Sequence, residues 1–350
     1  MDFVAEGPAQ LSALIGLGGG LLLGLAARVG RFCTLGAIED LIYQRSDHRM
    51  RMWGVAIAVA MLGAFASIGL GLLPAAETAY LERKWNPIAS IVGGLTFGYG
   101  MAIAGCCGFG ALARLGSGDL RAFVIAMVIG LSAYITMSGP LAKLRLLLFP
   151  YELSDRPQGL AHHISDISGL PVAAVGMTAG AAMLCIALAS RDFIARPRSI
   201  LWGAVAGLAV MSGWLFTALI AEANFGETRV TSHTFAGPIG ETMLYTMISS
   251  SGWPSFAVSS VAGVLAGSMI GALSKGHFRW EACDDPRELR RQMLGAVLMG
   301  VGAVVATGCN VGQGITAFAL LAYSAPITLL AIFAGATVGL HQLIEGFERI

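Results

Sequence analysis

The sequence is poor in charge. Only 12% of its 350 residues are Asp, Glu, Lys or Arg, against about 25% in soluble domains. That scarcity excludes a large soluble helical protein, which needs charged faces at helical spacing. Neither sign is in excess: 22 basic and 21 acidic residues leave +1, so net charge points to no partner, and no nucleic-acid partner is expected. Basic residues are missing ahead of the first apolar run, where only Asp2 and Glu6 carry charge. This is the wrong start for a cleaved signal peptide, so the first run is expected to stay as a membrane helix. Cysteine is sparse as well. The six lie at positions 33, 106, 107, 185, 283 and 309 with no CxxC pair, a pattern that gives neither a zinc site nor a disulfide framework. No metal and no cofactor are expected.

Long apolar runs are plentiful: 11–27, 52–73, 88–105, 122–138, 171–190, 201–221, 256–273, 293–307 and 326–343. A membrane-spanning helix needs about 20 apolar residues. These runs predict a polytopic all-α membrane protein with about nine transmembrane helices. Trp85, Trp253 and Trp280 flank apolar runs and read as interface anchors. Lys and Arg cluster in three short loops, at Arg45, Arg49 and Arg51, at Arg191, Arg196 and Arg198, and at Lys275, Arg279, Arg287, Arg290 and Arg291. The positive-inside rule places all three in the cytoplasm.

Two stretches repeat without gaps. GYGMAIAGCCGFG (98–110) aligns with GVGAVVATGCNVG (300–312), setting Cys107 on Cys309, and GLAARVGRFCTLG (24–36) aligns with GLAVMSGWLFTAL (207–219). Matches in the same order predict a duplication, with a first membrane repeat over 1–150, an inter-repeat loop over 151–170 and a second membrane repeat over 171–350. With the basic loops inside, the run at 52–73 leaves the cytoplasm and its counterpart at 256–273 enters it, so the repeats are inverted.

Gly105, Gly108 and Gly110 each cost about 1 kcal/mol against alanine inside a helix. They predict that one helix stops and a short re-entrant one starts, and Gly308 and Gly312 mark the equivalent break. Irregular backbone at membrane depth is tolerated inside protein or along a cavity, and a half-helix starting there points its positive end inward, towards an anion. Gly94, Gly98, Gly295 and Gly302 read instead as close helix packing. Cys107 and Cys309 occupy equivalent points in the two breaks, while Cys33 follows Arg28 and Arg31, arginines that are expensive in an apolar segment and usually face a cavity or an ion path. Cys185 reads as a small hydrophobe and Cys283 as incidental. His162 and His163, with Asp166 nearby, read as solvated loop. Arg114 and Arg121 bracket the GSGDL turn near the predicted outer face, where they could concentrate an anion.

These motifs resemble the YeeE/YedE family, the sulfur-transport domain proteins of bacteria. The resemblance rests on GRFCTLGAIED (30–40), AGCCGFGALARLGSGDL (104–120) and ATGCNVGQG (306–314) and spans nearly the whole chain. Cys106 stands where the family usually has glycine, and Asn310 where relatives often have proline. The resemblance implies a multi-pass permease of the bacterial inner membrane, shaped as an hourglass. It implies uptake of thiosulfate or a related sulfur anion past Cys33, Cys107 and Cys309 by S–H hydrogen bonding without covalent chemistry, so no enzyme. The supporting positions expected around the path are Arg31, Gly105, Cys106, Gly108, Gly110, Arg114, Gly308, Asn310 and Gly312. A small cytoplasmic sulfur-carrier protein is an implied partner, and some relatives are linked to selenium instead. The residues leave two other readings open: a membrane sulfurtransferase forming a persulfide on Cys107, with Arg114 the nearest charge, and a channel or receptor component using its thiols as redox sensors.

Overall fold

The structure, a computed structural model, describes residues 3–150, 152–226, 228–249, 252–282 and 285–345. Cys283 lies outside them. The described residues form fifteen α-helices: α1 (Phe3–Arg28), α2 (Thr34–Tyr43), α3 (His48–Gly69), α4 (Pro87–Ala104), α5 (Gly108–Leu115), α6 (Leu120–Met137), α7 (Ala142–Leu148), α8 (Leu160–Ser168), α9 (Val172–Leu188), α10 (Arg191–Ile194), α11 (Pro197–Ala223), α12 (Ala236–Ile248), α13 (Phe256–Ser274), α14 (Pro286–Val305) and α15 (Ser324–Glu345). A π-turn, Gly312–Ala317, and a 3-10 turn, Phe318–Leu320, join α14 to α15. Three isolated bridges replace any sheet among the described residues.

Seven stretches are helical, long and apolar enough to cross a membrane: Gly7–Arg28, His48–Gly69, Pro87–Leu115, Leu120–Met137, Pro197–Ala223, Phe256–Ser274 and Ser324–Ile344. The other two apolar runs also fold as helices. One is α9, with 17 residues, or about 26 Å. The other is α14, whose first turns carry Arg287, Glu288, Arg290 and Arg291. The chain is thus a multi-pass membrane protein. The span Pro87–Leu115 is continuous in composition but holds the break between α4 and α5.

Loop contacts define two ends. At one, Arg28 donates to the His277 carbonyl at 3.2 Å and Lys275 to that of Val29 at 3.0 Å. At this same end Arg279 N donates to Ser117 O at 3.3 Å and Leu120 N to Glu281 O at 3.0 Å. We call this the arginine-rich end. At the other, Lys84 N bonds Glu152 O, Gln158 N bonds Leu81 O, and Tyr323 N bonds Gln158 O. The GSGDL turn therefore sits against the loop holding Arg279, and not on the opposite face as the sequence suggested. A bridge from Asp119 to Glu281 fixes it there, a long-range pairing that no local pattern announces.

Packing occurs in matched pairs. α1 lies on α13 as α11 lies on α3; α4 lies on α15 as α14 lies on α6; and α4 meets α14 across the middle. Small residues set these approaches. A Cβ on Gly100 would come within 2.6 Å of Gly295 O, and one on Gly302 within 2.7 Å of Gly93 O, closer than any side chain tolerates, so the helices touch through backbone. Gly94, Gly98, Gly295 and Gly302 all pack in this way. The sequence match of 24–36 with 207–219 does not correspond to equivalent structure. The first stretch ends α1, bends and starts α2, whereas the second lies wholly inside α11.

Candidate functional site

Where α4 ends, Gly105 adopts φ 74°, a left-handed turn that costs a non-glycine residue about 1–2 kcal/mol. Gly108 and Gly110 carry no such conformation and lie within α5, so one glycine of the three makes the break. The equivalent turn after α14 is made by Thr307, with φ 57°, and not by Gly308. Gln313 holds that strained turn: its Nε2 donates to Ala306 O at 3.0 Å, Thr307 O at 3.2 Å and Thr307 Oγ1 at 3.1 Å, while its Oε1 accepts from Ser324 Oγ at 3.0 Å.

After each break a new helix begins at a cysteine. Cys107 is the N-cap of α5 and its Sγ accepts from Gly110 N at 3.3 Å. Cys309 stands just before the helical turn that opens at Asn310, and its Sγ accepts from Gly312 N at 3.5 Å. Cys33 is the N-cap of α2. The N-cap of α12 is Phe235. Residues 33 and 235 differ by 202, as do 107 and 309, so four helix starts form two matched pairs and three of the four carry a thiol. A helix start presents unpaired N–H groups and a partial positive charge.

Asn310 joins these starts. Fully buried, it donates through Nδ2 to Cys107 Sγ at 3.5 Å and to Thr34 Oγ1 in a short bond. Thus the residue after Cys309 touches both the Cys107 thiol and the first residue of α2. Cys33, Cys106 and Cys309 all lie near Cys107. Cys107, Cys309 and Cys106 are buried, Cys33 is half-buried and Cys185 is exposed. Thr234 Oγ1 lies 3.5 Å from Cys309 Sγ, and a Cβ on Gly312 would meet Thr234 Oγ1 at 2.6 Å and the Tyr80 hydroxyl at 3.1 Å. Hydroxyls and N–H groups therefore surround Cys309.

At the end opposite the arginine-rich one, a cavity of about 250 Å³ reaches this group, lined by Cys309, Gly308, Thr307, Thr234, Tyr80, Arg83 and Arg145 among others. A smaller one of about 70 Å³ shares Tyr80, Arg83, Arg145 and Thr307 with it. Burial, and then the Arg83 charge, pull Arg145 below the ordinary arginine value. Two cations facing one cavity are suited to an anion between them.

Arg31 is exposed with φ 57° in the loop before α2, away from this cavity. Arg114 lies on the other side of the thiols, beside Gly105 and Cys106. Reading the sequence did not single out Thr34, Tyr80, Thr234 or Gln313. Nor did it select Arg83 and Arg145 as a pair, since 62 residues separate them and only the fold brings them to one cavity. Among the described residues no cluster of three or more His, Cys, Asp or Glu could hold a metal.

The family profile described as Sulphur transport matches residues 29–338. The chain is 27% identical over 341 residues to the thiosulfate transporter TsuA of Escherichia coli K12, covering 92% of each chain. It is 26% identical over 330 residues to the protein of the same name from Spirochaeta thermophila, covering 90% of this chain and 94% of that one. A shorter match, 29% identical over 111 residues, is to the probable transporter YedE of Escherichia coli K12, covering 32% of this chain and 25% of that one.

Proposed function

The chain belongs to the sulphur-transport (YeeE/YedE) family, and on that premise we propose that it is an inner-membrane permease importing thiosulfate or a related sulfur anion through a narrow waist lined by Cys309, Cys107 and Cys33. The observation that carries this reading is the meeting of thiol-capped helix starts at Asn310, next to a cavity faced by Arg83 and Arg145. The matched helix pairs support two inverted repeats, 1–150 and 171–350, whose short helices α2, α5 and α12 enter the membrane without crossing it. The arginine-rich end then faces the cytoplasm, where a small sulfur-carrier protein would take over the product.

In this reading the arginines gather the dianion into the wide cavity. There Tyr80, Thr234 and the Gly312 N–H replace part of its water. Thiol S–H groups are weak donors, which suits a relay: each holds a soft, sulfur-bearing anion too loosely to trap it. Asn310 Nδ2 stands where the ion passes from Cys309 to Cys107 and can trade its bond to sulfur for one to the anion. Selenium oxyanions offer similar chemistry. Persulfide formation on Cys107, its sulfur taking the outer sulfur of thiosulfate and releasing sulfite, is the second reading.

Uptake into proteoliposomes, comparing thiosulfate, sulfate, sulfite and selenite, tests the proposal. Thiosulfate should be taken up, and Cys107→Ala should lower the rate by at least about 100-fold, roughly 3 kcal/mol, while the protein stays monodisperse. Wild-type uptake by that variant removes the relay. A sulfur-mass adduct trapped on Cys107 after exposure to thiosulfate moves the assignment to a sulfurtransferase.

A further inference from the structure

We propose that the ion pair of Arg114 with Asp119 is an anion-operated latch over the pathway's mouth at the arginine-rich end, and that Arg114 is the group that receives the anion there. The inference rests on the permease reading and goes beyond it by assigning the release step to named residues.

The mouth is at Gly105. This residue is exposed, although it follows the buried Ala104 and precedes the buried Cys106. No heavy atom lies within 4 Å of the place a Cβ would take. Its counterpart 202 positions on is Thr307, also left-handed and exposed, which lines both cavities at the other end. The two turns thus open towards opposite ends, with the thiols between them.

Arg114 lies across the Gly105 opening. Its Nη1 donates to Gly105 O at 3.4 Å, near the outer limit of a hydrogen bond. Its Nε pairs with Asp119 Oδ2 at 3.2 Å, and it is near enough to the Cys106 thiol to interact with it. The side chain is 40% exposed, so moving it disturbs little packing. Position 316, the counterpart of Arg114, is a buried threonine bonded to His233 O.

Asp119 is built to let Arg114 go. Its carboxylate is 9% exposed, and a charge so buried cannot be left unpaired. Yet its Oδ1 already accepts from Arg121 N at 3.0 Å and Arg121 Nε at 3.2 Å, and Arg121 pairs in turn with Glu281 at 3.5 Å. When Arg114 leaves, Asp119 keeps its two bonds from Arg121. An anion reaching Gly105 offers Arg114 two negative charges where Asp119 offers one, and oxygens that a guanidinium fork can grip in pairs. The anion therefore competes Arg114 away from Asp119, and the displaced side chain carries it off the mouth.

Cys106, sealed behind Arg114, reports the latch. Inside-out vesicles containing the full chain are treated with a membrane-impermeant maleimide, and Cys106 alkylation is followed by mass spectrometry. Without substrate, Arg114→Gln should raise the Cys106 rate at least about fivefold, because labelling tracks the open population; equal rates in the two proteins overturn the latch. Thiosulfate, or whichever anion of the uptake panel is transported, should speed Cys106 labelling in the wild type but not in Arg114→Gln. Acceleration in both, or in neither, overturns operation by the anion. The substrate-free comparison stands even if thiosulfate is not carried, so failure of the latch and failure of the permease reading are separable. Should Arg114→Gln not yield folded protein, Arg114→Lys, which keeps the charge but loses the fork, is judged by the same two comparisons.

Discussion

Gln313 shows how much one side chain can hold together. It lies in the π-turn, is fully buried, and satisfies two carbonyls and a hydroxyl around Thr307 while accepting from Ser324. A π-turn widens the helix locally and recurs at functional sites; here it turns Gln313 back onto the break. Gln313→Leu should destabilise the protein by about 2 kcal/mol or more, since the buried Ala306 carbonyl would lose its donor. Thermal unfolding of purified protein in detergent measures this, and an unchanged midpoint would show that the Thr307 turn stands without it. Asn310 is a different case, because its Oδ1 is buried without a hydrogen-bond partner. Asn310→Leu removes the link between α2 and α5 but also that orphaned acceptor, so uptake should fall at least about tenfold with little change in unfolding temperature. Sequence exposed some of this site and hid the rest for a physical reason. Cys107 and Cys309 stand out because a thiol beside glycine in an apolar run is rare. Thr34, Thr234 and Gln313 are ordinary polar residues whose importance comes from partners up to 276 positions away.

At the level of elements, tight backbone contact governs packing. α1 meets α13 through Gly16, Gly20 and Gly24, where a Cβ would overlap the carbonyls of Phe256, Ser260 and Val264. Gly20→Val should force the pair apart at a cost of about 1–3 kcal/mol, seen as a loss of monodisperse protein on size-exclusion chromatography; a normal profile would mean the pair can slide. α8 supplies a pH-dependent term. Burial holds His162 below the ordinary histidine value, and Asp166 opposes this in part. The unfolded chain then takes up the proton first, so stability is full above the ordinary histidine value and declines as pH falls towards the depressed one. His162→Phe should flatten this decline when unfolding temperatures are compared at about pH 7.5 and 5; an identical slope would place the dependence elsewhere. Helix existence was readable from apolar runs. The breaks were readable from glycine, but only Gly105 performs that task, and the strained Thr307 turn gave no signal because threonine is unremarkable in a membrane helix. The match of 24–36 with 207–219 failed because it rested on Gly, Ala and Leu, which fill every span of this chain and carry little positional information.

Across the whole molecule, the two sets of loop contacts give a firm orientation to test. Basic loops gather at the end that holds Arg28, Lys275 and Arg279, while Glu152 and Lys84 pair at the other. In intact cells an impermeant maleimide should label Glu152→Cys and spare Arg279→Cys, both followed as increments over the unsubstituted chain; the opposite pattern would invert the molecule. The sequence assigned the basic loops to one side but put the GSGDL turn on the wrong one. Only the folded chain, by pairing Asp119 with Glu281, corrects it.

Of the four matched helix starts, the odd one is Phe235, whose ring lies 5.1 Å from that of Phe109. If sulfur atoms are the stopping places of the ion, the ladder has two rungs, Cys107 and Cys33, below the crossing point and one, Cys309, above it. Unequal rungs cannot decide which way net flux runs, since that follows the electrochemical gradient. They make the path asymmetric about Asn310: an anion arriving past Cys309 would meet one thiol before the crossing, and one arriving from the arginine-rich end would meet two.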